Sequence, residues 1–298
     1  MTRVLVSGGT GYVGRFIVEH LLASGYEVTV ACRSRPTASF FSQPVAYMPL
    51  HLDPDRDQIA AFDEVYYFVH AAFEHVEGRY RGGEGGDPEG FRRANLDGSV
   101  RLFEEARTAG VRRCVFLSSR AVYGKTSSPI LDESTTPEPD TLYGEVKLGA
   151  ENALESLAGP AFVTASLRIT GVYGPAGSGR RHKWSSLFAD YLAGASVPPR
   201  IGTEVHGDDV AKAVRLMLEA DAAKISGKVF NVSDVLTDTR DILAILQAAT
   251  GCSHPLPPPT QPAVFKVMAI DRLRAIGWKP GGIGRLAATV RDLAGVQS

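Results

Sequence analysis

Tyr143 and Lys147 stand four residues apart in the stretch Leu142-Tyr143-Gly144-Glu145-Val146-Lys147. On a helix that spacing puts the phenol and the ammonium on one face about a turn apart, where the cation favours phenolate and lowers the tyrosine pKa. A tyrosine so placed can give or take a proton in alcohol and ketone chemistry. Tyr-x-x-x-Lys also occurs on many solvated helices, so its weight comes from a second pattern, Ser7-Gly8-Gly9-Thr10-Gly11-Tyr12-Val13-Gly14. There Gly8 permits a tight turn, Gly11 lets the backbone approach a pyrophosphate, and Gly14 allows a helix to pack closely on a strand. The first amides of that helix and its positive end complete an anion site, so the pair of patterns places proton transfer beside a bound dinucleotide.

The surrounding elements are those such a site requires. The apolar run Val4-Leu5-Val6 reads as a strand, Phe16, Ile17, His20, Leu21 and Leu22 follow at helical spacing, Gly25-Tyr26 ends that helix, and Glu27 to Cys32 reads as a second strand. Further strands are expected at 46–52, 65–69, 113–117 and 162–168, alternating with helical patterns. This alternation predicts an α/β fold, a doubly wound parallel sheet of the Rossmann kind. Lys228 to Val232 reads as a strand that returns to the sheet after an excursion, so the domains interleave. Residues 1–170 plus 207–235 form the dinucleotide-binding part; 171–206 plus 236–298, with an extended stretch at Pro255 to Pro262, form a smaller substrate lobe. The loop from Glu77 to Gly90 is too glycine-rich for a packed element and sits where doubly wound folds bind ligands.

Charge and composition exclude more than they select. The 298 residues carry a formal net charge of −1, which argues against a general nucleic-acid partner. No apolar run approaches membrane-spanning length, and the first residues enter a strand at once with no signal peptide, so a cytoplasmic protein is expected. Cys32, Cys114 and Cys252 are far apart, odd in number and without metal-ligand spacing, which predicts free thiols and no metal site.

With both motifs in place the chain resembles the extended short-chain dehydrogenase/reductase family, the NAD-dependent epimerase/dehydratase group. Phe68-Val69-His70-Ala71-Ala72, Asn95-Leu96-Asp97-Gly98, Phe116 to Gly124, Leu167 to Pro175, Val205 to Val210 and Ile276 to Pro280 match it in order. The resemblance implies Tyr143 as general acid/base, Lys147 as the group that lowers its pKa and binds the nicotinamide ribose, and Ser119 as donor to the reacting oxygen. Strand alternation turns one of Ser118 and Ser119 away from the site. It further implies cofactor contacts from Gly8, Thr10, Gly11, Tyr12, Val13, Gly14, Leu52, Ala71, Ala72, Asn95 and Ile169, with Asp53 at the adenine edge and Asn95 also able to cap a helix. Ser119, Arg120, Tyr143, Thr170 and Arg200 are the implied substrate contacts. Relatives that prefer NAD carry an acid at the end of the second strand; here Cys32 is followed by Arg33 and Arg35, which implies NADP through a charged contact to the 2′-phosphate, with NAD as the alternative.

Departures from the family pattern prune the substrate. Ser119-Arg120-Ala121 replaces the Thr-Asp-Glu of sugar-nucleotide dehydratases, which removes the acid and base for water elimination. Gly202-Thr203 replaces an Arg-Asp pair whose arginine clamps a nucleotide diphosphate, which points to a smaller sugar-like substrate. The basic run Arg180-Arg181-His182-Lys183 either attracts an anionic substrate group or forms a solvated face. The leading reading is an NAD(P)-dependent dehydrogenase or reductase of a sugar-like hydroxyl or keto carbon, with a homodimer as the expected assembly. A nucleotide-sugar epimerase, for example a 4-epimerase with retained cofactor, and a non-catalytic NADP sensor are the alternatives.

Overall fold

The computed structural model describes residues 2–36, 40–75, 83–177, 179–260 and 265–295. The chain enters β1 (Arg3–Ser7), turns through the glycine loop into α1 (Tyr12–Ala23) and continues in β2 (Glu27–Cys32) and β3 (Ala46–Pro49). After β4 (Tyr67–His70) come α2 (Pro88–Arg92), a π turn (Arg93–Asp97) and α3 (Gly98–Thr108), then β5 (Arg113–Ser119), a 3₁₀ turn (Arg120–Tyr123) and the short β6 (Ile130–Leu131). α4 (Leu142–Ser156) leads to β7 (Val163–Ile169) and β8 (Gly171–Tyr173), and α5 (Ser185–Leu192) to β9 (Ile201–His206). α6 (Gly207–Glu219), α7 (Ala222–Ile225), β10 (Lys228–Val232), β11 (Val235–Asp238), α8 (Thr239–Thr250), β12 (Val267–Met268), α9 (Asp271–Arg274) and α10 (Gly282–Leu293) complete it.

Seven strands form one parallel sheet in the order β10-β7-β5-β4-β1-β2-β3. Every residue of β7 is buried, as a strand covered on both faces requires. Alternation divides the core: Val4 and Val6 face Ile17 of α1 and Val210 and Val214 of α6, while Leu5 faces Leu102 and Phe103 of α3 with Phe68 and Phe116. The order reverses between β1 and β4, which opens a crevice at the carboxyl ends of the strands. Over that edge lies a second sheet, β11-β9-β8, whose own core joins Tyr173, Trp184 and Phe188 to Leu243, Leu246 and Leu286.

The parallel sheet and the return of Lys228 to Val232 agree with the expectation, and several boundaries differ. β3 stops at Pro49 instead of Leu52, and β4 starts at Tyr67 because Glu64, in the left-handed region at φ 59°, turns the chain just before it. Residues 77–82 of the expected glycine-rich loop lie outside the described residues. Its last part is not loop: Asp87 accepts from Gly90 N at 2.9 Å and Pro88 takes the first helical turn, so α2 begins there. Asn95 therefore sits inside a helical run instead of opening it. Residues 255–260 have no regular structure, and 261–262 lie outside the described residues.

Candidate active site

The glycine loop fits a dinucleotide on steric grounds. Gly8 has φ +69°, and a Cβ there would stand 2.6 Å from Ala72 N; a Cβ on Gly14 would stand 2.1 Å from Gly8 O. Neither position admits a side chain without moving backbone, so the loop lies flat against Ala71 and Ala72 and α1 starts directly behind it. Gly11 caps α1 without a side-chain acceptor, which leaves first-turn amides and the positive helix end for an anion. Tyr12 and Val13 are half-buried and pack on the core at this end.

Ser119 and Tyr143 come from different elements that are pinned together. Ser119 ends β5, and its Oγ accepts from Ala121 N at 3.1 Å, which starts the 3₁₀ turn. Thr141 caps α4 by accepting from Gly144 N at 3.1 Å. Gly144 in turn rests on that 3₁₀ turn, since a Cβ there would meet Ala121 O at 2.6 Å. The amino end of the Tyr143 helix is thus seated on the turn that follows Ser119. Ser118 is buried, with no hydrogen-bond partner for its Oγ among the described residues, whereas Ser119 is half-exposed.

Lys147 shares the Tyr143 face but lies deeper than its spacing alone conveys. Its Nζ donates to Leu117 O at 2.8 Å and sits over the rings of Phe73 and Phe116, at 4.3 and 4.7 Å, and 6.0 Å from the centre of the Tyr143 ring. Burial pushes its pKa down from 10.5 to about 7, and nearby Glu151 pulls the other way. The Tyr143 ring meets Phe73 edge-on at 5.1 Å. Asn95, buried in the π turn, does not cap α3; it accepts from Glu74 N at 2.6 Å and donates to Glu74 O at 2.8 Å, which fixes the segment after β4 that carries Phe73.

Residues 4–233 match the NAD dependent epimerase/dehydratase family. The chain belongs to that family. A UDP-glucose 4-epimerase of Streptomyces lividans is 32% identical over 160 residues, 51% of this chain and 46% of that protein, so the match spans about half the relative's length. The UDP-glucose 4-epimerase of Corynebacterium glutamicum is 26% identical over 308 residues, 93% of this chain and 91% of its own. The structure of the Thermus thermophilus UDP-glucose 4-epimerase complex with NAD is similar at a TM-score of 0.79 and 27% identity, over 100% of both chains. Among the described residues no helix is long and apolar enough to cross a membrane.

The other residues expected as contacts are held by neighbours from several elements. Arg33 is exposed and paired with Glu74, and Arg35 stacks over Tyr47 at 5.0 Å. Gly98 packs on Leu52, where a Cβ would meet backbone at 2.7 Å, and Asp53 accepts from Asp55 N at 3.1 Å in the adjoining turn. Ile169 is in register with Ser119, and Thr170 N donates to Val232 O at 3.1 Å. Arg120 donates to Lys266 O at 2.7 Å and lies over Phe265, which ties it to the β12 segment. Arg200 is exposed just before β9, its carbonyl held by Thr239.

The basic run does not form one patch. Arg180 reaches back to Thr10 O at 2.6 Å, Arg181 turns to Ser186, the His182 carbonyl accepts from Ser185, and Lys183 pairs with the buried Glu204 beside Gly171.

Sequence reasoning also missed a hydrogen-bond chain beside the glycine loop, starting from Ser7. His70, fully buried, bonds Ser7 Oγ through Nδ1 at 2.7 Å and Ser99 Oγ through Nε2 at 2.9 Å, while the Ser99 hydroxyl donates to Asn95 O at 2.6 Å. Since that hydroxyl proton is used on Asn95, Nε2 donates to Ser99, and in a neutral ring Nδ1 accepts from Ser7. Burial, reinforced by the Lys147 charge, pushes the His70 pKa down to about 3. Unfolded chains take up this proton near the ordinary value of 6.5 and the folded protein does not, so stability falls as pH drops below 6.5. Between pH 6.5 and 5, above the carboxylate range, His70 accounts for a loss of about 1.5 kcal/mol. Urea unfolding of His70→Asn at the two pH values is expected to lack that share; an unchanged pH dependence would mean His70 is not held neutral.

Proposed function

We propose that this protein oxidises and re-reduces a single carbinol carbon of a sugar derivative, with a nucleotide sugar as the first substrate class. The carrying observation is the seating of the Tyr143 helix on the Ser119 turn at the sheet edge next to the glycine loop, through Gly144. In this reading Tyr143 removes and returns the hydroxyl proton, Ser119 donates to the same oxygen, and Lys147 supplies the positive charge behind them. A bound nicotinamide dinucleotide takes up the hydride and gives it back. Epimerisation ranks above the net dehydrogenase reading because the Corynebacterium glutamicum and Thermus thermophilus relatives, matched over nearly their whole length, are UDP-glucose 4-epimerases. Incubation with UDP-glucose or UDP-galactose tests it: interconversion of the two with constant cofactor absorbance supports the epimerase. Stoichiometric change at the nicotinamide band would establish net redox, and cofactor binding without turnover a sensor.

The division into a dinucleotide-binding part, 1–170 plus 207–235, and a substrate lobe, 171–206 plus 236–298, belongs to the same proposal, as does a preference for NADP. Support for NADP is that Arg33 and Arg35 are the exposed charges after β2. Exchange of Glu74 for a 2′-phosphate keeps Arg33 paired, so the expected gain is moderate. Arg33→Ala is expected to weaken NADPH about tenfold more than NADH at one ionic strength. Equal losses, or tighter binding of NADH by the wild type, would overturn the NADP assignment while leaving the epimerase reading intact.

A further inference from the structure

We infer that Arg180 is a binding residue for the dinucleotide's pyrophosphate, carried to the glycine loop by the chain that follows β8. The inference rests on the cofactor reading of that loop and adds a residue from outside the βαβ unit. Three contacts hold the segment to the loop: Tyr12 Oη donates to Gly174 O at 2.7 Å, Arg15 donates to Pro175 O at 3.0 Å, and Arg180 Nη1 donates to Thr10 O at 2.6 Å. The Arg180 guanidinium also lies over the Phe40 ring, 4.6 Å from its centre. Both of these partners are neutral. They fix where the exposed cation stands without pairing its charge.

Neighbouring arginines differ in this respect. Arg15 has Glu19 at 3.7 Å and Arg33 has Glu74, whereas among the described residues no carboxylate lies within ion-pair distance of Arg180. One of its five N–H donors is used on Thr10, two residues before the open amides of α1, which begin at Tyr12. A dianionic pyrophosphate at those amides supplies the missing counter-charge, and the planar fork suits its oxygens. The contact would slow cofactor release in proportion to the affinity it adds.

The test compares wild type, Arg180→Met and Arg180→Lys by titration with NADH, NADPH, ADP and adenosine, with cofactor dissociation followed by stopped flow. Met keeps the apolar stem over Phe40 and removes the charge. It is expected to weaken NADH, NADPH and ADP by the same factor, about tenfold, to speed dissociation, and to leave adenosine unchanged. Lys is expected to recover part of the loss. Unchanged ADP affinity, an equal loss for adenosine, or a lysine variant no better than methionine would overturn the inference. A wild type that binds neither NADH nor NADPH would instead remove the cofactor reading on which it rests. The equal effect on NADH and NADPH separates Arg180 from Arg33, whose replacement discriminates between them.

Discussion

Tyr143→Phe is expected to lower turnover by a factor between about a hundred and ten thousand, the usual contribution of a positioned general acid/base. The ring keeps its edge-on contact with Phe73, and the helix cap at Thr141 and the Gly144 contact are untouched, so fold and cofactor affinity should stay near wild type. Turnover is read on whichever substrate the wild type converts, and cofactor affinity by fluorescence titration. A variant that keeps more than about a tenth of wild-type turnover would remove Tyr143 from the proton-transfer role. A variant that loses cofactor binding as well would show that the hydroxyl shapes the site instead of reacting in it.

Lys147→Met is expected to lose activity on a similar scale and, unusually for a site residue, to stabilise the cofactor-free protein. An ammonium held by one carbonyl and two ring faces is poorly solvated, which is why its pKa falls from 10.5 to about 7. Between those values the unfolded chain holds a proton that the folded chain has released, so wild-type stability rises with pH from about 7 toward 10.5. Below pH 7 the penalty is present in full, on the order of a few kcal/mol. Unfolding free energies at pH 7, 8.5 and 10 should show the variant's advantage over the wild type shrinking as pH rises, since other buried groups titrate equally in both. Parallel curves would mean that the buried nitrogen is not the titrating group. Cofactor hydroxyls near Nζ would favour the charged form, so cofactor binding near pH 8 should take up a proton in the wild type and none in the variant.

What was legible in the sequence is what depends on near neighbours. The β1-loop-α1 unit follows from three glycines and an apolar period within about twenty residues, and the phenol and ammonium follow from one helical turn. The depth of Lys147 was hidden because Phe73 and Phe116, which bury it, come from the segment after β4 and from β5. Arg180 to Lys183 read as one charged patch because contiguity was the only information. In the fold, irregular backbone sends Arg180 toward the glycine loop and Lys183 toward β9. The Ser7-His70-Ser99-Asn95 chain spans four elements, and no periodicity brings such residues to notice. Asn95 was read as a cofactor contact or a cap, and its backbone clamp on Glu74 is a different way of serving the same crevice.

The placing of β10 outside β7 has a consequence for how the protein is made. β7 is buried along its whole length, yet its outer neighbour begins only at Lys228, after β8, α5, β9 and α6 have been synthesised. During translation the growing sheet therefore presents a row of unpaired amides and carbonyls on an apolar strand for as long as those elements take to emerge. α6, which follows β9, covers one face of that strand but not its edge, which only β10 closes. A ribosome stalled before residue 228 would hold a chain whose stickiest surface is the very strand that ends beside Ser119, and a chaperone waiting for this protein should find β7 first.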